Sequence, residues 1–249
     1  MPLGEVQLRD GRHMGVRVIE PPAGEQGEAL AYFLRHKNDT SLRTIRARLA
    51  GRFAGECVDR YFVGEVEGRP VGHAWYGLPR GGTGVGNFGH IYTEPECRGL
   101  GIAGLLVEIL VREFQQTDGT CLLCSAGADA ARIYRRFGFR FVDEGATSGD
   151  MALLREGVAP DFRALEQEYF GAGLPARTRP GSMRDRHDCD RMFGFSREVR
   201  ESRHRWHRAF IAHRVPAFED ALFLAAAGEG VATVLESARG SIVGHAFAL

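Results

Sequence analysis

Lysine is almost absent from this chain of 249 residues, because Lys37 is the only one and arginine supplies the rest of the basic charge. A Walker phosphate loop requires the sequence Gly-Lys-Ser/Thr. The glycine-rich segment around Gly101 contains no lysine, so it is not a Walker loop. Basic and acidic residues number 32 each, so the chain has no excess of either sign. Binding to nucleic acid or to an anionic membrane through charge alone needs a basic excess, and we predict neither partner.

Cysteine is sparse and without a pattern, since the five cysteines lie at positions 57, 97, 121, 124 and 189. An odd number at irregular spacing does not predict a disulfide framework. The first fifteen residues contain no apolar stretch of the signal-peptide type, which predicts a cytoplasmic protein. The longest apolar run, around residues 221–227, is too short to cross a bilayer.

Apolar spacing predicts an α/β fold over the first 155 residues, in the order β, α, α, β, β, β, α, β, α, β, β. Such an order indicates a mixed sheet with helices on its faces. The clearest elements are a hairpin around Glu67-Gly68-Arg69, a strand over Phe88–Thr93 and a helix that begins near Ile102. Residues 156–175 are predicted to be a connector with one short helix near 162–170.

Residues 176–249 are predicted to form a smaller domain, because VGHAWYGL at 71–78 recurs as VGHAFAL at 243–249. A partial internal repeat of the first domain explains this recurrence. Such a repeat would end before the strand that precedes the glycine-rich segment, so we expect it to bind no cofactor. Its open sheet edge would be covered either by the first domain or by a second copy of the chain, that is, in a homodimer.

The segment HIYTEPECRGLGIAGLLVEIL, residues 90–110, predicts a strand, a tight glycine-rich turn and a helix. Such a turn places unpaired N–H groups and the positive end of the helix dipole against a phosphate. Gly99, Gly101 and Gly104 also have the spacing of a dinucleotide-binding fingerprint. That fingerprint belongs in the first βαβ unit, with an acidic residue about 20 positions on. Neither condition is met here.

This segment resembles the GNAT superfamily of N-acetyltransferases. Arg98, Gly101 and Ala103 match the family pattern Arg/Gln-x-x-Gly-x-Gly/Ala, and Pro95 ends the preceding strand in the family manner. Thirty residues on, AARIYRRFGF at 130–139 is similar to the helix that carries the family's tyrosine. The resemblance covers about residues 12–155. It implies a mixed, mostly antiparallel sheet flanked by helices, with the C-terminal segment as a half-domain of the same type.

The resemblance implies that acetyl-CoA, or another short acyl-CoA, is the co-substrate and that no metal takes part. The strand before the turn would bind the pantetheine arm through its backbone, and the turn and helix start would hold the pyrophosphate. The family often has Asn seven residues before its tyrosine, and this chain has Gly127 there. The residues expected to bind the cofactor are Ile91, Tyr92, Thr93, Arg98, Gly99, Leu100, Gly101, Ile102, Ala103 and Gly104.

Two catalytic residues are expected. By resemblance, Tyr134 donates a proton to the departing thiolate of CoA. His90 lies on the cofactor strand and titrates in a range that suits removal of a proton from the amine. Asn87, Glu65, Glu67 and Glu94 stay open as alternatives to His90, and His73 as a second residue that faces the substrate.

The resemblance implies an N-acyltransferase that acts on an amine of a small molecule or peptide, by direct transfer in a ternary complex. A CoA-binding sensor without catalysis is the alternative. Two other patterns have structural interpretations. Cys121 and Cys124 form CxxC, but residues three apart in a strand point to opposite faces. His187, Cys189, His204, His207 and His213 lie in an arginine-rich stretch that predicts an amphipathic helix better than a metal site.

Overall fold

The computed structural model describes residues 2–35, 39–170, 175–186 and 218–248. Within these ranges, eight strands form one sheet in the order β1-β2-β3-β4-β5-β6-β8-β7. Neighbouring strands are antiparallel except β5 and β6, which are parallel. The strands are β1 (Pro2–Gln7), β2 (His13–Ile19), β3 (Cys57–Val66), β4 (Arg69–Pro79), β5 (Val85–Thr93), β6 (Cys121–Ala126), β7 (Arg140–Phe141) and β8 (Gly149–Leu154).

The predicted order of elements is confirmed, with one addition. Strand β1 precedes the first predicted strand and pairs with β2, which extends the sheet by one strand at its edge. The predicted hairpin is β3–β4, and the predicted helix begins at Ile102. The helices with described bounds are α1 (Glu25–Phe33), α2 (Asp39–Leu49), α3 (Ile102–Gln115), α4 (Ala128–Tyr134), α5 (Phe162–Phe170) and α6 (Phe218–Ala226).

Helices cover both faces of the sheet. On one face α3 and α4 bury a large apolar cluster in which Leu106, Leu110 and Phe114 of α3 are fully buried. This is the α3 face. On the other, α1 and α2 pack on β2–β4 around Leu34 and Ile45. This is the α1/α2 face.

Helix α5 belongs to the body of the fold although it lies in the predicted connector. Its Leu165 and Tyr169 pack against Val85 and Cys121 of the large sheet. The Tyr169 hydroxyl accepts the backbone N–H of Ile242 at 2.7 Å, which joins α5 to the C-terminal segment.

The C-terminal unit comprises the described residues 175–186 and 218–248. It contains a second sheet of three strands, β9 (Ala176–Pro180), β10 (Val231–Ser237) and β11 (Ile242–Ala248), in the order β11-β10-β9. Its core is shared with the first unit, because Phe53 and Cys57 pack with Leu222, Phe223 and Ile242. Among the helices that the structure describes, none is long and apolar enough to cross a membrane.

Strands β10 and β11 pair in the same way as β3 and β4. His245 lies opposite Val234, as His73 lies opposite Val63. In both ladders a register shift follows immediately after the next residue pair. The two hairpins therefore carry a bulge at the same distance from the histidine of the Val-Gly-His-Ala sequence.

Both units also contain the same cross-strand ion pair. Arg17 of β2 contacts Glu65 at 2.6 Å, and Arg179 of β9 contacts Glu236 at 2.9 Å. Each arginine lies opposite the valine that pairs with the histidine in its own unit. The order β9-β10-β11 thus matches β2-β3-β4 in strand neighbours, register, bulge position and charge pairing.

Candidate active site

Strands β5 and β6 are paired over only part of their length. The parallel ladder joins Val85–Asn87 to Cys121–Leu123, and among the described residues it goes no further. Beyond Asn87 the two strands are no longer joined, so a gap opens between them. A gap between parallel strands leaves backbone groups unpaired, and an extended ligand can bind them.

A bulge on β5 lies at this gap. The ladder with β4 pairs Trp75 with Gly89 and His73 with Tyr92, so β5 contains one residue more than β4 over this stretch. His90, the residue of the bulge, has a φ of +54°, a conformation in which histidine is enriched among non-glycine residues.

The bulge changes the direction of the His90 side chain. Regular alternation would place it on the same face as Phe88, which packs in the cluster under α3. Instead its ring lies 4.9 Å from the ring of Trp75, which belongs to the cluster under α1 and α2. The His90 ring therefore lies at the gap on the α1/α2 face.

Two of the three predicted pantetheine-binding residues direct their backbone toward the gap. Glu94 donates its N–H to Val71 of β4, and alternate residues of a strand use opposite sides. Tyr92 therefore faces β4 as well, whereas Ile91 and Thr93 face the gap. The backbone of Tyr92, the third predicted residue, is directed to the neighbouring strand, and its ring centroid lies 5.3 Å from that of Phe33.

The glycine-rich turn after β5 leads directly into α3. Gly99 and Gly101 have φ values of +84° and +91°, which side chains other than glycine rarely tolerate. Gly101 is the N-cap of α3, so no side chain caps the helix. Among the described residues, no acceptor is bonded to the N–H groups of Leu100, Gly101 or Ile102. The turn therefore presents successive amide donors at the positive end of a helix dipole.

Tyr134 lies on the opposite face of the sheet from His90, in the cluster under α3. It is the last residue of α4, its side chain is buried, and its ring lies edge-on to Phe88 with centroids 4.9 Å apart. Phe88 directly follows the last paired residue of β5, so Tyr134 lies where the strands separate. Burial, and then the nearby Cys124, raise the pKa of the phenol well above its ordinary value.

Residues 58–141 match the family model described as an acetyltransferase (GNAT) domain. The match begins in β3, includes the gap, the glycine-rich turn and Tyr134, and ends in β7. Residues 58–141 therefore belong to a GNAT acetyltransferase domain. This confirms the family that the sequence motifs indicated and the sheet type that the resemblance implied.

Solved structures similar to the GNAT domain include three N-acetyltransferases. The YhbS protein of Escherichia coli in complex with CoA is 16% identical, with 56% of this chain and 79% of that chain covered and a TM-score of 0.42. The spermidine N-acetyltransferase of Vibrio cholerae is 15% identical, with 56% and 94% covered and a TM-score of 0.42. The PaiA N-acetyltransferase of Thermoplasma acidophilum in complex with coenzyme A is 12% identical, with 56% and 98% covered and a TM-score of 0.41.

Curated proteins give no match to the chain.

A largely buried aromatic cluster lies beside His90 on the α1/α2 face of the GNAT domain. Tyr61, Trp75 and Tyr92 pack on this face, and Trp75 is 6.4 Å from Tyr61 between ring centroids. His73 is fully buried here, and its Nδ1 donates to the backbone carbonyl of His90 at 2.7 Å. Because a carbonyl only accepts, a neutral His73 ring has its lone pair on Nε2. His73 thus braces the bulge that carries His90.

Sequence patterns did not reveal a buried charged cluster under Trp75. Asp59 Oδ1 accepts the indole N–H of Trp75 at 2.9 Å and Arg186 Nη2 at 2.7 Å, and Arg48 Nη1 lies 3.4 Å away. All three charged side chains are almost fully buried. Arg186 comes from the C-terminal unit, so that unit supplies a charge beside the Trp75 ring. No local pattern predicts a contact between residues this far apart in the chain.

The other residues considered as bases are Glu65, Glu67, Glu94 and Asn87. Glu65 is paired with Arg17 across β2 and β3, and Glu94 accepts the Tyr92 hydroxyl at 3.3 Å. Glu67 lies in the β3–β4 turn, and Asn87 is the last β5 residue paired with β6. Of the residues first considered as bases, His90 is the one that combines an ionisable side chain with a position on β5 beyond the last residue paired with β6.

The two cysteines of the CxxC sequence lie on opposite faces of the sheet. Cys121 packs under α5, and Cys124 packs against the α3 cluster. The histidine-rich stretch with Cys189 and His204 lies outside the described residues. Within the part of the chain that the structure describes, no three His, Cys, Asp or Glu side chains could hold a metal ion together.

Proposed function

We propose that the GNAT domain transfers an acetyl or other short acyl group from acyl-CoA to an amine by direct attack in a ternary complex. The observation that carries this proposal is the alignment of three features along one gap: the β5–β6 opening, the uncapped glycine turn at one end and Tyr134 where the strands separate. An acyl-CoA needs all three, for its pantetheine, its pyrophosphate and its sulfur respectively.

The cofactor residues have distinct roles in this proposal. Residues 98–104 hold the pyrophosphate through backbone amides, and Arg98 adds a charged fork. Arg98 is exposed, and its Nε reaches the carbonyl of Thr93 at 3.3 Å, so it lies between the strand and the turn. Ile91 and Thr93 bind the pantetheine amides, and Tyr92 contributes its ring to the acceptor side.

Catalysis needs one proton removed and one supplied. An alkylamine with a pKa near ~10 is mostly protonated at neutral pH, and we assign the removal of its proton to His90 on the α1/α2 face. Attack on the thioester expels the CoA thiolate, which Tyr134 protonates from the α3 face. The two groups lie on opposite faces of the sheet, so acceptor and leaving group do not compete for space.

The acceptor is proposed to be an amine of a small molecule or a peptide. Its site is proposed to lie beside His90 and the partly exposed ring of Tyr92, which suits an amine with an apolar body.

We also propose that residues 1–155 form the acyltransferase domain and residues 176–249 a partial copy of it without a cofactor turn. The shared Val-Gly-His-Ala sequence, bulge position and Arg–Glu pair support this division. Residues 156–175 then join the two and cover the sheet through α5.

A CoA-binding sensor without catalysis is the second candidate. Gly127 favours it, because it occupies the position where the family often has Asn, and it leaves the N-cap of α4 without a side chain. A panel of amines distinguishes the two candidates. An acyltransferase acylates at least one amine and loses this activity in Tyr134→Phe, whereas a sensor binds acyl-CoA and acylates none.

Calorimetric titration of acetyl-CoA into wild type and Gly101→Glu tests the proposed cofactor site. The substitution puts a negative side chain at the proposed pyrophosphate position, so we expect one micromolar site per chain in wild type and none in the variant. Gly145→Glu is the matched control, because Gly145 has a φ of +76°, is exposed and lies in another loop. Absence of binding by folded wild type would refute the proposed function, and two sites per chain would refute the division into domains.

A further inference from the structure

The turn between β1 and β2 reaches the glycine-rich turn from a distant part of the chain. The backbone N–H of Arg9 donates to the carbonyl of Leu100 at 3.4 Å, and Arg9 Nη1 donates to the carbonyl of Gly99 at 3.3 Å. Arg9 Nε would lie 3.6 Å from a Cβ placed on Gly101. One arginine therefore bonds two consecutive residues of the proposed pyrophosphate site and lies beside the third.

These contacts determine where the amide donors point. In a trans peptide the C=O and the following N–H point in opposite directions. With the carbonyl of Gly99 directed to Arg9, the N–H of Leu100 points away from it. In the same way, because the carbonyl of Leu100 accepts the backbone N–H of Arg9, the N–H of Gly101 points away from Arg9. Arg9 thus directs two consecutive donors away from itself, and these are among the donors that no described acceptor uses.

The charge of Arg9 is not neutralised by its acidic neighbour. Asp10 accepts the backbone N–H of Arg12 at 3.1 Å and its Nε at 2.8 Å, so its carboxylate is occupied within the turn. Arg9 is exposed, as is Arg98 on the strand side. The glycine turn is therefore flanked by two cations from different elements.

The β1–β2 hairpin is fixed firmly enough to hold this position. Leu8, which precedes Arg9, is buried in the cluster under α3, and its N–H and C=O close the turn with Arg12 and Gly11. The bond from the backbone N–H of Arg9 to Leu100 therefore costs little further backbone entropy, whereas the Arg9 side chain loses rotamer freedom when it holds Gly99.

We propose that Arg9 is a positioning residue of the acyl-CoA site, which sets the amide donors of the glycine turn before the ligand binds and adds positive charge beside the pyrophosphate. This inference rests on the proposed function, since it assigns an additional residue to the same site. Its effect should be specific to the phosphates, because Arg9 makes no contact with the gap where the pantetheine would lie.

Calorimetry with CoA on Arg9→Ala, Arg9→Lys and Arg46→Ala tests this assignment. We expect the Kd for CoA to rise about 10-fold in Arg9→Ala, the size expected for the loss of one charged hydrogen-bonding group. Arg9→Lys, which keeps the charge, should stay within about 3-fold of wild type. Arg46 of α2 is a matched exposed arginine on the α1/α2 face, and its removal should leave the Kd unchanged.

A second ligand separates positioning from general destabilisation. Pantetheine contains no phosphate, so the rise in melting temperature that it causes at millimolar concentration should be the same in wild type and Arg9→Ala. Equal affinity of wild type and Arg9→Ala for CoA would overturn the assignment of Arg9. Equal weakening of CoA and pantetheine would also overturn it, since Arg9 would then only stabilise the fold. Failure of folded wild type to bind CoA would refute the proposed function itself.

Discussion

At the scale of single residues, Tyr134 is in a protonation state that suits a proton donor. Burial raises the pKa of its phenol, and Cys124 adds to that effect, so the hydroxyl stays protonated throughout the neutral and mildly alkaline range. The CoA thiol has an ordinary pKa of about 8.5, so at pH 7 the released thiolate ends in its protonated form. The environment of Tyr134 therefore keeps a proton available at every pH where the reaction would be assayed.

Tyr134→Phe keeps the ring packed against Phe88 and removes only the hydroxyl. We expect kcat with a competent amine to fall about 10²-fold at pH 7, within the range of general acid catalysis. The KM for acyl-CoA and the melting temperature should not change. The deficit should shrink above pH 9, where the thiolate leaves without protonation, and a pH-independent deficit would contradict the role of proton donor.

His90 is the residue whose backbone conformation places it beside the proposed acceptor site. His90→Asn keeps a side chain that tolerates a positive φ and removes the titrating ring. We expect kcat/KM for the amine to fall about 10²-fold, while the Kd for CoA stays the same. His13→Asn, at a histidine with an exposed side chain, should leave both quantities unchanged. An unchanged pH–rate profile in His90→Asn would mean that another group removes the proton.

At the scale of elements, the first turn of α3 shows a conflict between stability and binding. A Cβ on Gly104 would meet no atom within 4 Å in the protein alone. Gly104→Ala should therefore raise the free energy of unfolding by about 0.5–1 kcal/mol, since alanine is the better helix former. The same methyl group would face the proposed pyrophosphate, so the Kd for CoA should rise. Chemical denaturation and calorimetry on one preparation measure both effects, and tighter CoA binding would contradict this placement.

The ion pair of the β9–β10 ladder predicts a pH dependence. Hydrogen bonds from Arg179 and from Arg177 lower the pKa of Glu236, which is almost fully buried. A lowered folded-state pKa means that this stabilisation is complete above the ordinary glutamate value of about 4.3 and is lost as the pH falls below it.

Glu236→Gln should accordingly lower the free energy of unfolding by roughly 1–3 kcal/mol at pH 7, with a difference that narrows toward pH 3. Glu65→Gln is the matched control in the first unit, and its effect should be smaller because the Glu65 side chain is 24% exposed against 9% for Glu236. Melting curves from pH 7 to pH 3 give both results. A difference that does not narrow in acid would contradict the assignment.

The hairpin β1–β2 was predictable in principle. Asp10-Gly11 between two alternating segments is a strong hairpin signal, yet only one strand was predicted before the first helix. The bulge at His90 was not predictable, because a positive φ at histidine depends on how β4 and the side chain of His73 hold the backbone.

At the scale of the whole molecule, a buried charged cluster joins the two units. Asp59 of β3 binds Arg186 of the C-terminal unit as well as Arg48 of α2. Asp59→Asn would leave two guanidinium groups buried with less opposing charge, and we expect a loss of about 3–5 kcal/mol in the free energy of unfolding by urea. Asp129→Asn, at a fully exposed ion pair, should cost less than about 1 kcal/mol. Similar losses in the two variants would show that the cluster does not stabilise the contact between the units.

What the sequence by itself determined is local and periodic. Glycines with a required positive φ, apolar spacing of 2 or 3.6 residues and a short phosphate-binding motif predicted the strands, the helix from Ile102 and the family, because each depends on neighbours in the chain. Tertiary structure alone decided which distant groups meet. Arg9 at the glycine turn, the side of the sheet that His90 faces and Arg186 beneath Trp75 depend on strand pairing and packing, and contacts between residues tens of positions apart leave no periodic signal in a single sequence.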